Sequence, residues 1–75
     1  MSSPDARSLP LSGEERRALS LSANGLLVAD VAEKLGVPPA MVRGWLSSAI
    51  KTLGARSKLE AVLIAARTGQ LDLFP

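Results

Sequence analysis

Four glycines, at positions 25, 36, 54 and 69, divide this 75-residue chain into short segments that carry the signals of α-helices. The longest segment, residues 39–53, has apolar residues at the three- and four-residue spacing of a helix with one buried face. The chain shows neither the apolar–polar alternation typical of strands nor an internal repeat. The sequence therefore predicts an all-α domain of four helices.

Local signals give the approximate bounds of these helices. Ser12 and Glu15 have the spacing of a capping box, and Ser57 and Glu60 repeat it later in the chain. Pro39 suits the first position of a helix, because its missing N–H would have no partner there. The predicted helices are residues 13–24, 28–35, 39–53 and 58–68.

The composition excludes several classes of function. A chain of this length buries only about 60% of the surface that it exposes when unfolded, so the core is thin. It has no cysteine and no histidine, and therefore lacks thiolate metal ligands, disulfides and the commonest general base. The serines have only scattered carboxylates and lysines to activate them. We predict that the protein is not an enzyme and needs no metal or cofactor.

The chain also lacks obvious targeting signals. Its longest apolar run, residues 61–66, is far below the roughly 20 residues that span a membrane, and residues 1–7 do not form a secretory signal. We expect a soluble, cytoplasmic protein with residues 1–10 as a flexible leader or linker remnant and residues 11–75 as the domain. The opening Met1 and the compact length favour a complete small protein over a domain excised from a longer regulator.

Charge is distributed unevenly along the chain, although the net charge is only +2. The part up to residue 33 has three basic and five acidic residues. The part from residue 34 to residue 67 has a single acid, Glu60, and six basic residues: Lys34, Arg43, Lys51, Arg56, Lys58 and Arg67. This asymmetry suggests a polyanionic partner, but a solvated basic face is an equally good interpretation from charge alone.

The third predicted helix and its flanking turns carry the most specific pattern. The residues that form it are Leu35-Gly36-Val37-Pro38-Pro39, Met41-Val42-Arg43-Gly44-Trp45-Leu46, Leu53-Gly54-Ala55-Arg56-Ser57-Lys58 and Glu60-Ala61-Val62. Without gaps, this framework resembles the helix-turn-helix DNA-binding domain of LuxR/GerE-type bacterial transcription regulators. The resemblance implies a four-helix fold whose third helix enters the major groove of double-stranded DNA.

Helical periodicity places Arg43, Ser47 and Lys51 on one face of this helix, with Gly44 beside them and opposite the apolar stripe. In the family, the positions of Arg43, Gly44 and Ser47 face base edges. The guanidinium of Arg43 can bind O6 and N7 of guanine together. Lys51, Lys34, Arg56 and Lys58 are candidate phosphate contacts, although each is also an ordinary solvent-exposed side chain.

Several family contact positions are changed in this chain. Pro38 stands where serine usually caps the third helix, Met41 where threonine binds a phosphate, and Trp45 where histidine does so. By these positions, the resemblance makes Met41 and Trp45 further candidate phosphate contacts. Trp45 lies between the apolar stripe and the outward face, so it covers the core edge, donates its indole N–H to a phosphate or anchors a partner. These changes predict a modest affinity for DNA.

The start of the second helix is apolar where the family has a polar segment. Leu27, Val28 and Ala29 replace residues of the Ser-Asn-Lys kind. They form either a patch for a protein partner or, together with Leu26, part of a small core.

The fourth helix has more apolar residues than one inward face needs: Leu59, Val62, Leu63, Ala65 and Ala66. In the family this helix pairs with its symmetry mate, so these residues are a candidate homodimer interface; the alternative is that they close the core of one subunit. Leu71, Leu73 and Phe74 either fold back over that surface or fray. The sequence thus favours a dimeric DNA-binding transcription regulator, and the alternative is a LuxR-like protein-interaction module that has lost most DNA contacts.

Overall fold

The computed structural model describes residues 10–71, and all regular structure within that range is helical. Its four helices are α1 (Gly13–Ala23), α2 (Val28–Leu35), α3 (Pro39–Thr52) and α4 (Lys58–Arg67). The all-α prediction is confirmed, and each helix ends within one residue of the predicted position. None of these helices combines the length and apolar character that would let it cross a bilayer. The predicted leader, apart from Pro10, and the residues Leu73 and Phe74 lie outside the described range.

The capping box predicted at the start of α1 is present. The Ser12 hydroxyl accepts a hydrogen bond from the Glu15 N–H at 3.1 Å, and the Glu15 carboxylate accepts one from the Ser12 N–H at 2.8 Å. Two of the N–H groups left without helical partners are thereby satisfied. At the other end Asn24 is the C-cap rather than the last helical residue, and Gly25 follows with a positive φ of 99°.

The capping box predicted at the start of α4 forms only in part. The Ser57 hydroxyl accepts from the Glu60 N–H at 3.1 Å, as predicted. The Glu60 carboxylate, however, accepts from the N–H of Arg56 at 2.6 Å instead of from Ser57. The side chain of Glu60 therefore holds the turn that precedes α4, while its backbone N–H is capped by Ser57.

The central element of the fold is α3, which packs against each of the other three helices. Its predicted stripe is buried as expected, and α1 and α2 cover most of it. The buried apolar core consists of Ala18, Leu19, Leu21, Val31, Ala32, Val42, Leu46, Ala49, Leu53, Ala61 and Ala65. Within residues 10–71, α3 is thus covered on its back and sides, and its face opposite the buried stripe is exposed.

The two ends of the described chain meet. The N–H of Leu11, just before α1, donates to the side-chain oxygen of Gln70, just after α4, at 2.7 Å. Leu11 and Leu71 both pack against the core next to this bond. The first and last helices are thereby joined, which closes the domain behind α3.

Candidate nucleic-acid interface

The open face of α3 carries the residues predicted to read DNA. Arg43, Ser47 and Lys51 are all exposed, and so are Ala40 and Gly44 beside them. The opposite stripe is buried, so this face is turned away from the rest of the domain. Neither cationic side chain forms an ion pair or hydrogen bond with any residue between 10 and 71. Both charges on this face are therefore available to a ligand.

A contact between α1 and α3 fixes the orientation of this face. The Ser48 hydroxyl donates to the carboxylate of Glu15, the residue that also caps α1. Glu15 is only 8% exposed. Burial raises the pKa of Glu15, but the hydrogen bonds from Ser48 and Ser12 outweigh burial and hold the pKa below its ordinary value. The ionised carboxylate thus links the start of α1 to the residue next to Ser47.

Sequence reasoning identified Glu15 as a cap and did not identify Ser48 at all. On the helical wheel Ser48 lies between the buried stripe and the exposed face, where a hydroxyl on a helix is unremarkable. The available signal was a pairing of two facts: a serine on the flank of α3 and a carboxylate on the helix that covers that flank. Choosing this pair required knowing how the helices pack.

Gly44 has no structural reason to be glycine. A Cβ added there would meet no heavy atom within 4 Å, and the residue has an ordinary helical backbone without positive φ. Glycine inside a helix costs about 0.5–1 kcal/mol relative to alanine. The domain's own packing does not offset this cost, so the glycine leaves open space on the exposed face of α3.

The start of α3 offers little to an anion. Pro38 is the N-cap and provides no side-chain hydrogen bond, and Pro39 has no N–H. The N–H of Met41 is already bonded to the carbonyl of Pro38 at 3.0 Å. Met41 itself is half-exposed, and its thioether has no hydrogen to donate. Met41 therefore cannot donate a hydrogen bond to a phosphate from its side chain, and its N–H is already engaged.

The other basic candidates lie on three different parts of the domain. Lys34 is in the last turn of α2, Arg56 is in the turn before α4, and Lys58 is the first residue of α4. All three side chains are exposed. They carry exposed positive charge on elements that precede and follow α3 in the chain.

Trp45 is half-buried and packs against the core, which supports its role as cover for the core edge. It also lines a groove of about 180 Å³ between the first turn of α1 and the turn that joins α2 to α3. The other lining residues are Gly13, Glu14, Arg17, Leu35 and Val37. Part of the indole therefore faces an open site beside the exposed face of α3.

The apolar segment before α2 divides into two pairs. Leu26 and Val28 pack against the core, whereas Leu27 and Ala29 are exposed. Leu27 is 72% exposed, and it occupies the N-cap position of α2 without any side-chain hydrogen bond. The predicted patch therefore keeps Leu27 and Ala29 and loses Val28.

The candidate dimer surface on α4 is also reduced. Leu59 and Leu63 are 70% and 59% exposed, and Ala66 is exposed on the same side, one turn further along. Val62 is half-buried against the subunit's own core. Ala65 is fully buried, so it cannot line a surface between subunits. Its small side chain instead lets α4 approach the rest of the subunit closely.

Comparisons with known proteins agree with this architecture, although no protein family model matches the chain. The response regulator RamR of Streptomyces coelicolor (strain ATCC BAA-471 / A3(2) / M145) is 30% identical over 61 residues. That match covers 81% of this chain, which spans 30% of the length of RamR.

The solved structure of the transcription factor GerE matches in three dimensions as well as in sequence. The TM-score is 0.80 at 30% identity, and the match covers 85% of this chain and 96% of the GerE chain. The shared fold thus extends over nearly the whole of GerE, including the helix that presents the open face described above. The chain belongs to the LuxR/GerE-type helix-turn-helix family of bacterial transcription regulators.

Proposed function

We propose that this protein regulates transcription by binding double-stranded DNA with α3 in the major groove. The observation that carries the proposal is the face of α3 on which Arg43, Ser47 and Lys51 are exposed, opposite a buried stripe. The major groove is about 12 Å wide and admits a helix with its side chains. The charge of residues 34–67 favours a polyanion at this face.

The face supplies two kinds of contact. Arg43 has the planar fork that binds guanine at two atoms, a pairing worth about 1–3 kcal/mol of discrimination. Ser47 offers a hydroxyl one turn later, and Gly44 between them lets the backbone come close to the bases. Lys51, at the far end of the face, approaches the phosphates and adds salt-dependent affinity.

Lys34, Arg56 and Lys58 complete the proposed electrostatic contact. Because they lie on elements other than the helix proposed to read bases, their proposed role is to hold the domain on the DNA backbone rather than to read sequence. Each neutralised phosphate contributes a slope of about 0.9 to the fall of log affinity with log salt concentration.

We further propose that two copies associate through α4, using Leu59, Leu63 and Ala66 with the exposed edge of Val62. Two large exposed leucines one turn apart are unfavourable in water, and a two-fold pairing of the helices would bury them. A symmetric dimer would place two copies of α3 on half-sites about 34 Å apart. Gel filtration over a concentration series tests this proposal: the wild type should shift to a dimer and Leu59→Ser/Leu63→Ser should not.

The experiment on DNA uses a pool of random duplexes and a salt series. The wild type should show a linear fall of log affinity with log salt, and selection from the pool should yield a preferred sequence. Arg43→Ala should relax the preference for one guanine in each half-site. Lys51→Ala should keep the preference and lower the salt slope by about 1.

The control is Lys51→Arg, which keeps the positive charge on the proposed DNA face and should keep both the sequence preference and the salt slope. Circular dichroism should show the same helix content in all variants. If the folded wild type binds no duplex even at low salt, the proposed function is wrong.

One observation favours a second function, that of a protein-interaction module. Leu27, 72% exposed at an uncapped helix start, is a suitable anchor for an apolar partner surface, with exposed Met41 at the start of the next helix. This module predicts no salt-dependent binding of DNA by the folded protein. The salt series therefore separates the two functions.

A further inference from the structure

The groove beside Trp45 contains a charge that the described domain leaves unpaired. Arg17 is exposed on α1, and it forms no hydrogen bond or ion pair with any residue between 10 and 71. Apart from Glu14, the other lining residues are uncharged: Gly13, Leu35, Val37 and Trp45. Arg17 thus provides the groove with a cation that has no evident structural role.

The position of Trp45 connects this groove to the face proposed to enter DNA. Trp45 is one residue, or about 100°, from Gly44 around α3, on the flank that it shares with Met41 one turn earlier. It lines the groove together with Arg17, so Arg17 lies beside that flank of α3. The two flanks of a helix in the major groove face the two rows of phosphates that border the groove, because the groove is little wider than the helix.

We propose that Arg17, on α1, binds a backbone phosphate of DNA at the seam between α1 and α3. This inference rests on the proposed function and adds to it a contact from outside the helix-turn-helix. Trp45, Leu35 and Val37 give the groove an uncharged wall. A phosphate bound against that wall would be partly removed from water, which would strengthen its attraction to the guanidinium. Trp45 adds an indole N–H at the same seam, a group that can only donate.

Glu14 allows a second test of the proposal, in which DNA affinity should change in the opposite direction. It lies three residues before Arg17 and lines the same groove, yet the two side chains form no ion pair. A carboxylate there repels a phosphate and partly offsets the attraction of Arg17. Removal of the two charges should therefore change DNA affinity in opposite directions.

The experiment measures binding to a random duplex over a salt series with the full chain. Arg17→Ala should reduce the salt slope by about 0.9, whereas the matched control Arg17→Lys, which keeps the charge, should leave the slope near the wild-type value. Glu14→Gln should raise the affinity at low salt. Arg17 and Glu14 are both exposed, so their substitution should leave the helix content measured by circular dichroism unchanged.

The outcomes separate this inference from the proposed function. If the wild type binds DNA and Arg17→Ala has the same salt slope as the wild type and Arg17→Lys, the phosphate contact at the seam is wrong and the proposed function stands. If Glu14→Gln weakens binding, the contact is likewise wrong, because an anion at the seam must gain from loss of the carboxylate. A wild type that binds no duplex overturns both.

Discussion

The helices that frame this domain and the helices of its helix-turn-helix begin in opposite ways. At the starts of α1 and α4, Ser12 and Ser57 accept backbone hydrogen bonds, and nearby glutamates accept others. The starts of α2 and α3 follow Leu27 and Pro38, neither of which provides a side-chain cap. The framing helices thus satisfy N–H groups at their starts with side chains, whereas the two helices of the helix-turn-helix begin without a side-chain cap.

This difference shows where the chain has used polar residues for stability. A side-chain cap is worth about 1 kcal/mol, which is a large part of the stability of so small a domain. The framing helices keep their caps. The helix-turn-helix does not, so its position depends on burial of the α3 stripe and on the contact between Ser48 and Glu15.

The largest effect should come from Glu15→Gln. The substitution removes the charge of a buried carboxylate that accepts hydrogen bonds from Ser12 and Ser48. An amide can keep the contact with Ser48 only as a neutral bond with donor and acceptor reversed, which is weaker than a bond to a carboxylate. We expect the free energy of unfolding to fall by about 1–3 kcal/mol in urea titrations. Glu14→Gln, a substitution of the exposed neighbour, should leave stability nearly unchanged. If both substitutions lower the free energy of unfolding equally, the side-chain hydrogen bonds of Glu15 at the start of α1 are not a specific source of stability.

The charge-dependent part of that effect should vary with pH. Hydrogen bonds to Glu15 outweigh its burial and lower its pKa in the folded state, so the ionised form stabilises the fold above the unfolded pKa of about 4.3. This stabilisation is lost as the pH falls from that value through the folded pKa. Urea titrations at a series of pH values should therefore show the wild type and Glu15→Gln converging in acid. A constant difference down to pH 2 would contradict the prediction.

Much of the fold follows from signals that are local in sequence. The Ser12 cap, the glycine stops and the apolar spacing in α3 each involve residues within about one or two helical turns, so they can be read without the tertiary structure. The pairing of Ser48 with Glu15 joins residues 33 positions apart and required the packing of α3 on α1.

The sequence also could not decide which apolar residues of the short helices are buried. Apolar residues on two sides of α4 allowed Ala65 to face either a second subunit or the core, and it faces the core. Before α2, the extended backbone at Leu27, with φ −75° and ψ 160°, turns its side chain outward while Leu26 and Val28 pack inward. Helical periodicity does not apply across that extended residue.

A serine introduced at the N-cap position of α2 tests whether a side-chain cap stabilises a helix that begins without one. The backbone of Leu27 already has the extended conformation that an N-cap residue adopts, so a serine hydroxyl there can accept from the N–H of Ala29 or Asp30. Leu27→Ser should be more stable than Leu27→Ala by about 1 kcal/mol in thermal or urea unfolding. Comparison with alanine removes the contribution of the lost leucine. If the two variants are equally stable, the start of α2 is already satisfied in another way.

The smallest expected effect concerns Gly44, where the backbone of α3 is exposed without a side chain. Since a Cβ there meets no atom within 4 Å, Gly44→Ala should fit without strain and raise the free energy of unfolding by about 0.5–1 kcal/mol. The same methyl group would fill the space through which the proposed DNA ligand approaches, so affinity for the selected duplex should fall while stability rises. Urea titration and DNA binding on the same sample measure both. A variant that gains stability and binds DNA as well as the wild type would show that the open backbone of α3 is not used for recognition.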